Sequence, residues 1–264
     1  MSDRTPRSSD ASDVSDASDA ADNRDWVYGF HPVAQALAAT PEKVRRVLVL
    51  QGRRDKRIGE IVDRAAEAGV RVEPVDGRTL NRVAKGSHQG VAAQCDAVTL
   101  AGEAEFEARF PSFDNPLILV LEGVQDPRNL GACLRSADAA GVDAVLLPKR
   151  RTAPLSSTVA KAASGALANL FLVGVSNLAR RLAWLKDEGV WLVGADDAAQ
   201  ASFTTVDLTV PVAIVLGAEG SGLHRLTKES CDFLASIPMS GAVSSLNVSV
   251  ATGIFLFEVR RQRQ

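Results

Sequence analysis

Residues 117–148 read LILVLEGVQDPRNLGACLRSADAAGVDAVLLP, and the order of signals in this stretch decides the fold. Residues 117–123 form a near-continuous apolar run, the pattern of a strand buried on both faces of a parallel sheet. Asp126-Pro127 breaks the strand and Asn129 is placed to cap a helix, which the spacing predicts over 130–140. Residues 144–148 are apolar again and predict a second strand, so the whole stretch is a strand–helix–strand unit. The alternation continues downstream, with helices over 156–165 and 177–188, strands over 170–173, 190–194, 212–217 and 235–237, and a closing helix over 246–261. Strands alternating with helices predict an α/β domain over 113–264, built on a mostly parallel sheet covered on both faces.

Upstream of it, residues 101–112 (AGEAEFEARFPS) shift to Ala, Glu and Gly and end in Pro, which reads as a linker. Residues 26–100 predict a small α/β domain. Its strands fall over 44–50, 70–75 and 90–95, and its helix, over 58–68, stops at Gly69. Residues 1–25 are Asp, Ser and Ala with almost nothing to bury, the composition of a disordered tail.

The formal net charge of −2 hides an uneven distribution. Residues 1–25 hold seven Asp against three Arg, whereas 26–100 hold twelve Lys or Arg against eight Asp or Glu. Residues 113–264 carry fourteen of each sign. The basic excess therefore sits in the first domain, where it favours a polyanionic partner. No apolar run is long enough to span a bilayer, and the polar N-terminus lacks the apolar core of a secretion signal. Three widely spaced cysteines, with no CxxC, fit buried thiols in a cytoplasmic protein. Only three histidines are present, so no metal site is expected.

Three segments of the second domain join strand ends to turn chemistry, where parallel sheets bind ligands. The first is residues 122–135, with Asn129 and Arg135. The second, residues 214–223, is IVLGAEGSGL, and its glycines 217, 220 and 222 let a ligand approach the backbone. Their GxxGxG spacing after a late strand fits neither the GxGxxG dinucleotide fingerprint nor a GxxxxGK phosphate loop. The third, residues 237–251, is IPMSGAVSSLNVSVA, where small hydroxyl and amide residues open a helix and leave room for a nucleoside or an amino-acid tail.

In this order, DPRNLGACLRSADAAGV, LGAEGSGL and IPMSGAVSSLNVSVATGIFLFE resemble the three motifs of the SpoU/TrmH-type RNA 2′-O-ribose methyltransferases of the SPOUT superfamily. They look closest to the bacterial branch acting on a 23S rRNA guanosine, in the region of the peptidyl-transferase centre. YGFHPV, GRRDKRI and SHQGVAA are similar to that branch's L30e-like substrate-binding domain. The resemblance implies a C-terminal domain with a trefoil knot, an S-adenosylmethionine cofactor without a metal, and a homodimer formed through that domain. It assigns cofactor binding to Leu216, Gly217, Gly220, Ile237, Met239, Gly241 and Leu246, and catalysis to Arg135, Asn129, Glu219, Ser245 and Asn247. Arg45, Arg46, Arg53, Arg54, Lys56 and Arg57 are the candidates for an RNA face on the first domain. Two other readings stay open: a tRNA target for the same chemistry, and an RNA-binding or ribosome-assembly protein without activity. Loss of motif residues would signal the latter, and none is lost.

Overall fold

The computed structural model describes residues 24–53, 55–84, 86–96 and 99–264. The expected N-terminal tail lies, up to residue 23, outside the described residues, as does Arg54. The first described element is a strand over residues 24–28, which starts two residues before the expected first domain and which the Asp-rich flank conceals in the sequence.

The first domain runs β1 (Arg24–Tyr28), α1 (Phe30–Ala39), β2 (Val44–Leu50), α2 (Lys56–Glu67), β3 (Arg71–Val75), α3 (Gly77–Val83) and β4 (Val91–Asp96). The sheet order is β1-β4-β2-β3. β4 is antiparallel to both β1 and β2, and β2 is parallel to β3. Side chains alternate along β2. Val47 and Val49 enter one core with Phe30, Val33 and Leu37 of α1 and Ile58, Ile61 and Ala65 of α2. Leu48 enters the other, with Leu80 of α3 and Ala92. This period-two division is what a strand covered on both faces requires.

The second domain runs α4 (Glu103–Arg109), β5 (Leu117–Leu121), α5 (Pro127–Ala139), β6 (Ala144–Pro148), α6 (Ser157–Ala163), β7 (Leu172–Val175), α7 (Leu178–Asp187), β8 (Trp191–Ala195), β9 (Val212–Leu216), α8 (Arg225–Ser230), β10 (Phe233–Ala235) and α9 (Val248–Gln262). Six strands lie in the order β10-β8-β9-β5-β6-β7, and every neighbouring pair is parallel. Leu117, Leu119 and Leu121 pack on one face with α5, α6 and α9. Ile118 and Val120 pack on the other, with Phe106 of α4 and Leu182 and Leu185 of α7. From central β5 the chain builds outward through β6 to β7, then returns to β8 on the far side. The order thus reverses between β5 and β9, and a switch point opens at their carboxyl ends.

Residues 101–112 are not a linker. Ala101 bridges Val173 of β7, α4 follows, and Phe106 and Phe110 are buried in the second core. Arg181 of α7, only 3% exposed, binds Glu103 at 2.9 Å and Glu107 at 2.7 Å. The glutamates that give this segment a surface composition are the partners of a buried arginine. Two strand positions also shift: β7 begins at Leu172 and β10 ends at Ala235, two residues before the expected boundary, which leaves Ile237 in a loop. Among the described residues, no helix is long and apolar enough to cross a membrane.

Candidate active site

The helix start in the first motif differs from the sequence reading in one consequential detail. Asp126, not Asn129, is the N-cap of α5: its carboxylate accepts the Arg128 amide at 2.6 Å and the Asn129 amide at 3.1 Å. Pro127 then occupies the first helical position, where its missing N–H costs nothing. The Asn129 side chain is left free to work across the sheet. Its Nδ2 donates to Glu219 Oε2 at 2.7 Å, and its Oδ1 accepts from Asn247 Nδ2 at 3.0 Å. Asn247 itself caps α9, its Oδ1 accepting from the Ser249 amide at 2.8 Å and from the Ser249 hydroxyl at 2.6 Å. Two side-chain bonds therefore tie together the first, second and third motifs.

Beside this bridge lies a cavity of about 320 Å³ at the carboxyl ends of β8, β9 and β10. Leu216, Gly217, Glu219, Gly220, Ile237, Met239, Ser245, Leu246 and Asn247 line it. Gly217 forms part of the floor. A Cβ there would come within 2.1 Å of the Gly222 carbonyl carbon and 2.3 Å of the Leu223 nitrogen, so the loop closes only around a glycine. Gly220 has φ +80, the left-handed region that glycine adopts freely. Gly241 departs from expectation: it does not line the cavity, and a Cβ there would meet open space.

Arg135 stands apart from the other expected catalytic residues. It lies six residues beyond Asn129 on α5, about 9 Å along the axis and about a third of a turn around it. It is exposed, and its Nη1 approaches Ser164 Oγ at 3.5 Å. Ser164 ends α6 in a left-handed conformation with φ 48, and its carbonyl accepts a bond from the Gln35 side chain of α1 in the first domain.

Asp196 and Lys228 complete one wall of the cavity. Asp196 follows β8 and pairs with Lys228 of α8 at 2.7 Å. Burial pushes the Asp196 carboxyl up, but the Lys228 hydrogen bond and the Ala198 amide outweigh it and leave the group below the ordinary carboxylate value. An acidic residue just after a predicted strand was the only sequence signal for it. Val248, Ala251 and Phe255, the inward face of α9, add apolar lining.

The candidate RNA arginines are mostly engaged within the first domain. Arg45 pairs with Asp96. Arg46 bonds Glu73 at 3.1 Å and Gln94 at 2.9 Å, with its guanidinium over Trp26. Arg53 bonds Asp55 and the Gln89 carbonyl and stacks on Phe30. Arg57 lies over the same ring, and Lys56 is exposed at the start of α2.

A pre-formed cavity with a glycine floor, apolar walls and a few converging polar groups suits a nucleoside-sized ligand. Comparison with known proteins points the same way. The model of the SpoU rRNA Methylase family matches residues 116–257, and that for RNA 2′-O ribose methyltransferase substrate binding matches residues 26–101. The 23S rRNA (guanosine-2′-O-)-methyltransferase RlmB of Photobacterium profundum is 46% identical over 92% of this chain and 99% of its own. The protein of the same name from Pseudomonas aeruginosa is 48% identical over 90% of this chain and 96% of its own. In fold, the chain is similar to the SpoU methyltransferase AviRb from Streptomyces viridochromogenes, solved in complex with AdoMet. There the TM-score is 0.77 over 91% of each chain, at 24% identity.

Proposed function

The chain belongs to the SpoU rRNA methylase family, and from that premise we propose that it methylates the ribose 2′-oxygen of a guanosine in 23S rRNA, with S-adenosylmethionine as donor. The observation that carries this reading is the Asn247–Asn129–Glu219 bridge at the rim of the glycine-floored cavity. Leu216, Ile237, Met239 and Leu246 are the residues to hold the cofactor, with Gly217 and Gly220 opening the backbone to it. When bound, the cofactor supplies a methyl group already activated on a sulfonium, so the reading calls for no metal. The protein's task is to position the ribose hydroxyl and stabilise the charge that develops on its oxygen. Arg135 is the electrostatic clamp in this scheme. A guanidinium does not give up its proton in proteins, so it serves by holding a phosphate or the nascent oxyanion, and the proton that the 2′-hydroxyl loses on methylation passes to solvent water. Asn129, fixed at both ends of its amide, and Ser245 orient the substrate.

The same reading includes a cytoplasmic homodimer formed by the knotted C-terminal domain. α9 supports it: Val250 and Phe257, about half exposed, lie two turns apart on one helix face, and exposed Val243 precedes that helix. Incubating the purified protein with protein-free 23S rRNA, tRNA and methyl-labelled S-adenosylmethionine tests the function. Label at one guanosine ribose of 23S rRNA is the expected result. Label in tRNA alone overturns the target, and no transfer to either overturns the enzyme.

A further inference from the structure

We infer that Arg128, Lys149 and Arg150 form a track for RNA phosphates on the second domain, with Arg151 as the anchor of its loop; this rests on the RNA-methylating reading above. The first domain holds the basic excess, yet Arg45, Arg46 and Arg53 are each bonded to a carboxylate there. Residues 113–264 are neutral in sum, but they place three consecutive cations, Lys149, Arg150 and Arg151, in the exposed turn that leaves β6.

That turn is built rather than loose. Arg151 has φ 65, a conformation that costs a non-glycine residue about 1–2 kcal/mol. It is held by two contacts: the Ala153 amide donates to the Val124 carbonyl at 2.9 Å, and Arg151 Nη1 lies 3.0 Å from His224 Nε2. An arginine only donates, so His224 Nε2 accepts, and its Nδ1 faces Glu122 at 3.4 Å as the donor. His224 thus joins the cationic turn to the second motif's loop. Lys149 packs its stem against Gly174, where a Cβ would come within 3.0 Å of Cε. Strain stored in a turn of like charges points to a function for that turn.

The turn also sits where substrate must pass. All six strands of the second sheet are parallel, so the loops after β5, β6 and β9 share one edge. β6 is two strands from β9, about 10 Å at ordinary strand spacing. Arg128, exposed in the first turn of α5, lies between them. Three carboxylates of these loops hold hydrogen bonds of their own. Asp126 caps α5, Glu122 accepts from the His224 amide and the Thr227 hydroxyl, and Glu219 accepts from Asn129. Among the described residues Arg128, Lys149 and Arg150 form no salt bridge, and all three are exposed beside the cavity; phosphate contacts of this kind fix register without reading bases.

The test compares wild type with the triple variant Arg128→Ala, Lys149→Ala, Arg150→Ala, using protein-free 23S rRNA as probe. Each lost phosphate contact flattens the slope of log affinity against log salt by about 0.7–0.9, so a total change of about 2–3 is expected. KM for RNA should rise about tenfold or more at moderate salt while kcat stays within about twofold, the signature of lost uniform binding. Calorimetric affinity for S-adenosylmethionine should not change. An unchanged slope and KM in a variant that still binds the cofactor overturns the track and moves the RNA path to the first domain. Failure of the wild-type protein to methylate any RNA would instead remove the functional reading on which the track rests.

Discussion

Asp126 decides what Asn129 is free to do. Both residues favour helix caps, and the spacing alone points to Asn129; the proline between them gives the cap to Asp126 and releases the amide for its bonds to Glu219 and Asn247. The five expected catalytic residues were legible as types in motifs, but which of them touch depends on long-range packing that no local pattern encodes. Arg135 carries the sharpest residue-level expectation. Arg135→Ala should bind S-adenosylmethionine normally and lose methyl transfer to below a tenth of wild type, more than about 1.4 kcal/mol in the barrier. Turnover above that level would leave Arg135 a minor role, and Asn129→Ala should show a milder defect. Gly217→Ala should lose cofactor binding outright by calorimetry, because its Cβ strikes the backbone of Gly222 and Leu223. Asp196 adds a pH signature. Its carboxyl is held below the ordinary value by Lys228, so the pair's contribution is fully present above about pH 4 and is lost as pH falls through the lowered value. Asp196→Asn should therefore lower Tm at neutral pH, and the gap should shrink as pH falls through that lowered value and close below it. A gap that persists there would mean that Asp196 acts through packing.

At the scale of elements, the strands that make the second sheet were legible because their apolar runs are unbroken and β-branched, a pattern set by burial on both faces. Short elements were not. β1 sits against an Asp-rich flank, α3 and α8 are seven and six residues long, and α4 wears the composition of a surface segment. Its readable signal was Phe106 and Phe110 four residues apart, one apolar stripe on an otherwise acidic helix. Gly131 shows the converse, a motif residue whose purpose is packing. A Cβ there would meet Ala162 Cβ at 2.5 Å and the Val159 carbonyl at 2.6 Å, so α5 and α6 approach closely only through glycine. α4 belongs to the second domain energetically as well. Burial pushes the Glu103 carboxyl up, yet the Ser176 amide and Arg181 hold it below its ordinary value, so it is charged at neutral pH. Glu103→Gln should leave buried Arg181 with the half-exposed Glu107 alone and destabilise the protein by about 3 kcal/mol, the lower end for breaking a buried pair. Urea unfolding measures it, and a loss below about 1 kcal/mol would mean that Glu107 suffices.

For the whole molecule, the division into two domains was readable from composition, but the boundary was misplaced by the length of a helix. The family models meet the same ambiguity, one ending at residue 101 and the other beginning at 116. The structure resolves it through contacts. Leu100 packs against the core under α5, α6 and α9, Ala101 pairs beside β7, and Phe106 and Phe110 fill the face covered by α7. A chain covering 99–264 should therefore fold and bind S-adenosylmethionine with wild-type affinity. One beginning at 113 exposes the surface left by two buried phenylalanines and strands Arg181 without either glutamate. Losing the phenylalanines alone costs about 3–5 kcal/mol each, comparable with the whole stability of a domain. It should aggregate or lack a cooperative unfolding transition. The longer fragment should also separate binding from turnover. It keeps the cavity, the Asn247–Asn129–Glu219 bridge and the cationic edge, but loses the substrate-binding domain and the Gln35 bond to Ser164 beside Arg135. Methylation of 23S rRNA should fall to background while cofactor affinity holds. If the 99–264 fragment methylates the same guanosine as the full chain, recognition resides in the second domain, and the first contributes affinity alone.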